Sequence, residues 1–309
     1  LIDPLLKLPK LLSLRKKLLN LFTKEGIDIF IGVDSPDFNM FFHKKLNRMD
    51  VKTVQVVSPS VWGWRENRIK SIAAHVDLTM CLFQFEHKFY VQKDVKSFFL
   101  GHPFSDLKPS MPSSVLKEYH LDGSKDFVCI LPGSRKSEIM HMMPIFIKAA
   151  ERISDINPNT FFLIPSANEE LSELIQMQLD QTKLNYQLTV SAAQDYLSIS
   201  KVSIVTSGTA SLEAVTLGSL PIICYKTSAL NYAILSRMIK TPYIGLPNLL
   251  LQQHLFPELV QHELSVEAIV DHYKNLSSDP QKYQAHLEKI NLSIQGEGFD
   301  EAAQTLLSL

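Results

Sequence analysis

The chain has 309 residues, of which 45% are hydrophobic and 20% are charged, and its formal net charge is −1. These values are typical of a globular protein that is long enough for two domains. An isoelectric point of about 6.9 argues against a nucleic-acid-binding surface, so we expect no nucleic-acid partner.

The amino-terminal third alternates between helix-like and strand-like segments. Residues 5–24 have leucines on one side and six basic residues between them. Such a helix either lies on an anionic membrane surface or packs into a core with its basic face in solvent. Strands are predicted at residues 27–33, 53–57, 78–83 and 98–100, with helices at 68–74 and 86–91. This alternation predicts a doubly wound α/β fold, which binds ligands at strand ends.

A polar stretch from residue 105 to about 125, with prolines at 109 and 112, is the predicted domain boundary. A second series of strands follows at residues 127–131, 161–165, 187–190, 202–205 and 220–225. We therefore predict two Rossmann-like domains, residues 1–105 and 106–290. For the terminal helix, residues 291–309, we consider packing back on the amino-terminal domain.

The cysteines and the apolar runs indicate the cellular compartment of the protein. Cys81, Cys129 and Cys224 are widely spaced, which predicts small buried side chains in a reducing compartment rather than disulfides. No apolar run reaches the roughly 18 residues that span a bilayer, and the amino end shows no signal-peptide pattern. We expect a cytoplasmic protein.

Two strand-to-helix turns in the second half share one physical design: residues 131–135 (LPGSR) and 206–209 (TSGT). Each presents backbone N–H groups at a helix start, where a phosphate binds well. Arg135 adds a guanidinium that can make paired hydrogen bonds to phosphate oxygens. Glu213, one turn into the second helix, can accept hydrogen bonds from ribose hydroxyls. Gly-Ser turns also open helices for purely structural reasons, so only the two together predict a nucleotide diphosphate site.

In the first half, Asp34, Trp62 and His102 are candidate functional residues. Asp34 ends an apolar strand before Ser-Pro, so its carboxylate either faces a cleft as a general base or satisfies N–H groups of the turn. Trp62, with Trp64, either forms a wall for a sugar or acyl chain or packs in a core. His102 is either a cleft residue or a structural loop residue. No histidine or cysteine spacing typical of metal ligands occurs, so we predict no bound metal.

Six motifs, in this order along the chain, resemble those of the lipid A disaccharide synthase family. They are IGVDSPDFN (31–39), VSPSVWGWRENRIKSI (57–72), FLGHPFSD (99–106), LPGSRKSEI (131–139), TSGTASLEAVTLGSLPIICYK (206–226) and KTPYIGLPNLL (240–250). The resemblance implies a GT-B fold, with two Rossmann-like domains facing a cleft: an acceptor-side domain, then a UDP-sugar-binding domain. It implies inverting, metal-independent transfer from UDP-2,3-diacylglucosamine to 2,3-diacylglucosamine 1-phosphate, releasing UDP. It also implies a homodimer at the cytoplasmic face of the inner membrane.

The resemblance also assigns roles to residues in the matching motifs. Asp34 would be the catalytic base that takes the proton from the 6-hydroxyl of the acceptor, and Arg135 would hold the diphosphate. The other residues implied to bind substrate are Ser134, Ser207, Gly208, Thr209, Glu213, Asn248, Trp62 and His102. The UDP-sugar is a substrate, so no cofactor is expected. A helix N-terminus and an arginine can stabilise departing UDP in place of a divalent metal.

The chain departs from the family pattern in places. The family begins with a strand and a GExSGD-like loop, and no such motif occurs here, so we expect the amino-terminal domain to be incomplete. Gln84 stands where the family has proline, and residues 251–254 (LQQH) replace an Ala-Gly-Arg-Glu-like run. Two alternatives stay open: a nucleotide-sugar epimerase on a GT-B-like scaffold, and an inactive UDP-binding fragment.

Overall fold

A computed structural model describes residues 8–59, 66–227 and 241–309. The chain divides into two compact units, and the first contains the residues up to His102 together with Ile294–Leu309. The second unit is Pro103–Ser293. The acceptor-side and donor-side roles of the two halves stay predictions.

Among the described residues, the first unit contains a four-stranded parallel sheet in the order β1-β2-β3-β4. The strands are β1 (Ile29–Val33), β2 (Lys52–Val56), β3 (Leu78–Cys81) and β4 (Ser97–Phe99). The helices before and between them are α1 (Leu8–Glu25), α2 (Pro36–Leu46), α3 (Ile69–His75) and α4 (Gln84–Gln92). Parallel neighbours joined through helices are what the alternating sequence pattern predicts.

The second unit contains a parallel sheet of six described strands in the order β10-β9-β8-β5-β6-β7. The strands are β5 (Asp126–Leu131), β6 (Thr160–Ser166), β7 (Tyr186–Val190), β8 (Val202–Thr206), β9 (Leu220–Tyr225) and β10 (Glu258–Val260). The helices are α5 (Pro112–Glu118), α6 (Lys136–Ile156), α7 (Glu169–Leu179), α8 (Ala193–Ile199), α9 (Thr209–Thr216), α10 (Leu246–Leu251), α11 (Val266–Ser278) and α12 (Gln284–Ser293).

The strand order of the second sheet reverses between β5 and β8. These strands are neighbours, but β5 leads on to β6 on one side and β8 leads on to β9 on the other. Loops that leave two adjacent parallel strands in opposite directions open a crevice, and open α/β sheets bind ligands there. The LPGSR and TSGT turns are the two loops that follow β5 and β8.

The last residues of the chain complete the first unit. The N–H of His102 donates to the carbonyl oxygen of Ile294 at 2.9 Å. Gly101 and Gly296 lie so close that a Cβ atom on either would collide with the backbone of the other. The final helix, α13 (Gly298–Leu307), adds a buried side chain to the core of the sheet. The buried members of this core are Val54, Leu78, Met80, Phe98, Leu100 and Ala302.

The doubly wound α/β fold predicted from the sequence is confirmed. The polar boundary segment contains helix α5, which begins at Pro112. Proline suits that position because the first turn of a helix needs no N–H donor there. The cysteines are buried, as predicted. No helix within the described ranges is long and apolar enough to cross a membrane.

Candidate active site

A cavity of about 640 Å³ lies at the carboxyl edge of the six-stranded sheet. It is lined by residues at the ends of four strands: 132–135 after β5, 165–167 around the end of β6, 191, 193 and 194 after β7, and 206–210 at the end of β8. The two turns of the phosphate-type design therefore share one pocket. The predicted residues that line it are Ser134, Arg135, Ser207, Gly208, Thr209 and Glu213.

The first turn is closed by an acid that is not among the residues predicted from the sequence. Glu138, in the first turn of α6, accepts a hydrogen bond from the N–H of Ser134 at 2.9 Å through Oε2. Its Oε1 accepts one from Nη1 of Arg135 at 2.6 Å. Gly133 has a φ of +118°, and a Cβ atom there would lie 2.6 Å from Cβ of Glu138. Glycine is therefore required, and the carboxylate lies where the turn would hold an anion.

The second turn leaves helix N–H groups at the pocket. Gly208 caps α9 with a φ of +142° and a ψ of −158°, a conformation that is open essentially to glycine alone. The geometry of a helix leaves its first N–H groups, here those of Thr209 and Ala210, without partners inside the helix. One expectation needs correction: Ser207 donates its N–H to the carbonyl oxygen of Cys224 at 2.8 Å, so it cannot present that group to a ligand.

Glu213 lies one turn into α9, half-buried in the pocket wall. Burial raises the pKa of its carboxyl, and a hydrogen bond from Nε2 of Gln194 at 3.2 Å partly opposes that shift. Gln194 comes from α8, a short helix that the sequence pattern does not reveal. The two carboxylate oxygens can accept further hydrogen bonds, so Glu213 can accept hydrogen bonds from a pair of ligand hydroxyls.

Asn248 does not line this pocket. It is fully buried, and its Nδ2 donates to the carbonyl oxygen of Phe256 and to Oε1 of Glu258, both at 2.8 Å. Its Oδ1 accepts from the N–H groups of Leu255 at 3.0 Å and Phe256 at 2.9 Å. The geometry gives Asn248 a structural task, and its predicted contact with the nucleotide stays a prediction.

The other predicted residues belong to the first half of the chain. Asp34 follows β1 directly, is exposed, and has a φ of +49°. His102 is buried, and its ring stacks on that of Phe83 with centroids 5.4 Å apart. Burial lowers the pKa of His102 to about 4, so the ring is neutral near pH 7. These features favour the structural interpretation of His102. Trp62 and Trp64 lie outside the described residues.

In the described parts of the chain, no group of three or more His, Cys, Asp or Glu side chains is arranged to hold a metal ion. The groups at the pocket that can stabilise an anion are the guanidinium of Arg135 and the amino terminus of α9, which carries roughly half a positive charge. A carboxylate, Glu213, lies beside them. This combination suits a ligand that has both phosphates and vicinal hydroxyls.

Several solved structures share the fold of the chain at 10–15% sequence identity. The structure titled S. aureus MnaA–UDP has a TM-score of 0.61 at 12% identity, covering 97% of this chain and 79% of that one. UDP-GlcNAc 2-epimerase from Neisseria meningitidis bound to UDP-GlcNAc has a TM-score of 0.60 at 12% identity, covering 97% and 81%. Anabaena Alr3699/HepE in complex with UDP-glucose has a TM-score of 0.56 at 12% identity, covering 96% and 82%. The fold is GT-B.

Sequence relationships are closer. A family model described as Lipid-A-disaccharide synthetase matches residues 1–306. Lipid-A-disaccharide synthase 2 of Legionella pneumophila (strain Paris) is 35% identical, over 99% of this chain and 81% of that protein. Lipid-A-disaccharide synthase of Alcanivorax borkumensis is 36% identical, over 98% and 80%, and that of Pseudomonas putida is 34% identical, over 100% and 83%. The chain belongs to the lipid-A-disaccharide synthetase family.

Proposed function

We propose that the chain transfers an acylated glucosamine from UDP to the 6-hydroxyl of an acylated glucosamine 1-phosphate, with inversion at the anomeric carbon. The products are a β-1,6-linked disaccharide 1-phosphate and UDP. The observation that carries the proposal is the pocket at the reversal of the strand order, which collects an arginine, a helix amino terminus and a carboxylate in a member of this family.

The pocket is proposed to hold the UDP of the donor. The N–H groups at the start of α9 and the guanidinium of Arg135 would bind the diphosphate, and Glu213 would accept from the ribose hydroxyls. As the bond between the anomeric carbon and the diphosphate breaks, negative charge grows on the departing phosphate. Groups fixed in advance around that charge lower the barrier without a metal.

Asp34 is the proposed general base. It would take the proton of the 6-hydroxyl as that oxygen attacks the anomeric carbon from the side opposite the diphosphate. Support comes from its exposure and its place directly after a parallel strand, where α/β folds put catalytic groups.

Helix α1 is proposed to touch the membrane that holds the acylated substrates. Phe22 of this helix packs against Phe30 and Phe42, with ring centroids 5.7 and 5.6 Å away. The leucines that stay exposed, by 38–53%, are Leu11, Leu12, Leu14 and Leu21. Exposed leucines among lysines suit an anionic bilayer surface. A location at the inner face of the inner membrane and a homodimer remain part of the proposal.

The test is to incubate the purified protein with both sugars and to measure disaccharide and UDP. Asp34→Asn should abolish transfer while leaving UDP affinity unchanged, and Arg135→Ala should weaken UDP binding. Undiminished turnover in Asp34→Asn would remove Asp34 as the base. Conversion of the UDP-sugar without any acceptor would instead support the epimerase, and UDP binding without transfer would support the inactive fragment.

A further inference from the structure

Two neighbouring loops of the first unit contain backbone conformations that side chains rarely adopt. Asp34 and Ser35, after β1, have φ values of +49° and +39°, and Val57, after β2, has +67°. The loops are adjacent, because the N–H of Asp34 donates to the carbonyl oxygen of Val56 at 2.9 Å. Non-glycine residues keep left-handed conformations only where their surroundings hold them.

Two buried amide side chains make hydrogen bonds to the backbone of these loops. Asn39 and Gln55 are 6% and 2% exposed. The carbonyl oxygen of Asp34 accepts from Nδ2 of Asn39 at 2.6 Å and from Nε2 of Gln55 at 3.0 Å. Nε2 of Gln55 also donates to the carbonyl oxygen of Val56 at 3.0 Å. The backbone at both loops is therefore hydrogen-bonded to the same glutamine.

A third buried side chain fixes the orientation of that glutamine. Oε1 of Gln55 lies 3.0 Å from Nε2 of His43 and accepts from Nδ2 of Asn39 at 3.3 Å. His43 is fully buried, and burial lowers its pKa, which favours the neutral ring. Because Oε1 of Gln55 can only accept, Nε2 of His43 is the ring nitrogen that donates to it. Turning the amide of Gln55 around would place its oxygen against the carbonyl oxygens of Asp34 and Val56, and its NH2 group against the NH2 group of Asn39. The network thus has one consistent arrangement.

Asn39 packs closely against β1, the strand that leads to Asp34. A Cβ atom on Gly32, in β1, would lie 2.8 Å from Cγ of Asn39. The asparagine therefore packs directly on the backbone of the strand that ends at Asp34. Glycine at position 32 permits this close approach.

We infer that Asn39 and Gln55 are positioning residues, which hold the backbone of Asp34 so that its carboxylate meets the acceptor hydroxyl; this inference rests on the proposed role of Asp34 as the base. Two hydrogen bonds to one carbonyl oxygen fix the plane of the peptide that follows Asp34. They thereby fix the position of its Cα atom, from which the side chain starts. Catalysis needs such control, because a displacement of about 1 Å can cost about 10²-fold in rate.

The experiment replaces Gln55 by methionine, which has nearly the same shape and none of the hydrogen bonds. The matched control is Thr53→Val. Thr53 is fully buried on the same strand, two residues away, but its hydroxyl bonds to the carbonyl oxygen of His75 at 2.8 Å and to Oδ2 of Asp77 at 3.1 Å, away from both loops. Gln55→Met should lower kcat about 10²-fold and leave the KM for the UDP-sugar unchanged. Thr53→Val should have a melting temperature similar to that of Gln55→Met, but should keep kcat within about twofold.

The pH profile separates a misplaced base from a loosened fold. When the carboxylate no longer reaches the hydroxyl, hydroxide must replace it, so the rate of Gln55→Met should rise about tenfold per pH unit above neutrality. Thr53→Val should keep the profile of the unsubstituted protein. Gly32→Ala gives a second variant, since its new methyl group pushes Asn39 aside and removes no polar group. It should reproduce the loss of kcat even if Gln55→Met fails to fold.

Asp34→Asn, assayed alongside, separates this inference from the proposed function. If Asp34→Asn keeps full turnover, the proposed base is wrong. If Asp34→Asn is inactive while Gln55→Met and Gly32→Ala turn over like Thr53→Val, the amide network only stabilises the fold and the positioning role is overturned.

Discussion

Glu138→Gln tests whether the first turn of the pocket is occupied by an acid of its own chain. In the structure, Oε2 of Glu138 accepts from the N–H of Ser134 and Oε1 accepts from Arg135. A glutamine retains one carbonyl oxygen for Ser134, so the turn keeps its shape. The substitution removes the negative charge that competes with a diphosphate for Arg135. We therefore expect UDP to bind more tightly to the variant.

The magnitude follows from exposure and charge. The side chain of Arg135 is 76% exposed and that of Glu138 is 21% exposed, so the pair stabilises the fold by about 1 kcal/mol at most. The melting temperature should therefore change little. Repulsion between the carboxylate and a phosphate about 4 Å away costs about 1 kcal/mol in a water-like dielectric. Its removal corresponds to a roughly fivefold gain in UDP affinity, and a smaller gain at high salt.

Isothermal titration calorimetry with UDP, at low and at high salt, is the assay. Glu267→Gln is the matched control, because Glu267 also lies in the first turn of a helix, α11, but does not line the pocket. That variant should bind UDP like the unsubstituted protein. Weaker or unchanged binding in Glu138→Gln, with the control unaffected, would refute the competition, and weaker binding would show that the carboxylate supports the ligand site.

Three further changes have defined outcomes. Burial raises the pKa of Glu213, so its ionised form destabilises the native state at neutral pH. Glu213→Gln should therefore raise the melting temperature there and leave it unchanged in acid, where both states are protonated. The pKa of His102 is lowered from 6.5 to about 4, so the native state should lose stability as the pH falls through that range. His102→Phe, which can stack on Phe83, should reduce this loss in pH-dependent thermal unfolding. Asn248→Leu leaves buried donors and acceptors unpaired and should cost about 3 kcal/mol in urea unfolding, whereas exposed Asn275→Ala should cost almost nothing.

Hydrophobic periodicity and strand-to-helix turns were enough to predict much of the fold and part of the site. The segments around Gly133 and Gly208 are local in sequence, because a strand, a glycine turn and a helix follow one another directly. Parallel strands then bring such turns to one edge of the sheet. For this reason the pocket that contains Arg135 and Glu213 could be predicted without coordinates.

What the sequence could not provide are the partners that folding brings together. Gln194 reaches Glu213 from a helix of only seven residues, too short for its periodicity to be distinctive. Gln55 lies 21 residues from the backbone that it holds at Asp34. The contact that Glu138 makes with the turn did have a sequence signal, an acidic residue three positions into a helix that follows a turn. That spacing is equally typical of ordinary helix capping, so it does not single out a ligand site.

The return of residues 294–309 to the first unit determines the order in which the protein can be built. Pro103–Ser293 is continuous in sequence, so it can fold during synthesis as soon as it has left the ribosome. The first unit, in contrast, has its complete core only once Gly296 packs on Gly101 and Ala302 joins the other buried residues. A nascent chain can therefore form the pocket that contains Arg135 and Glu213 before the core of the first sheet is complete.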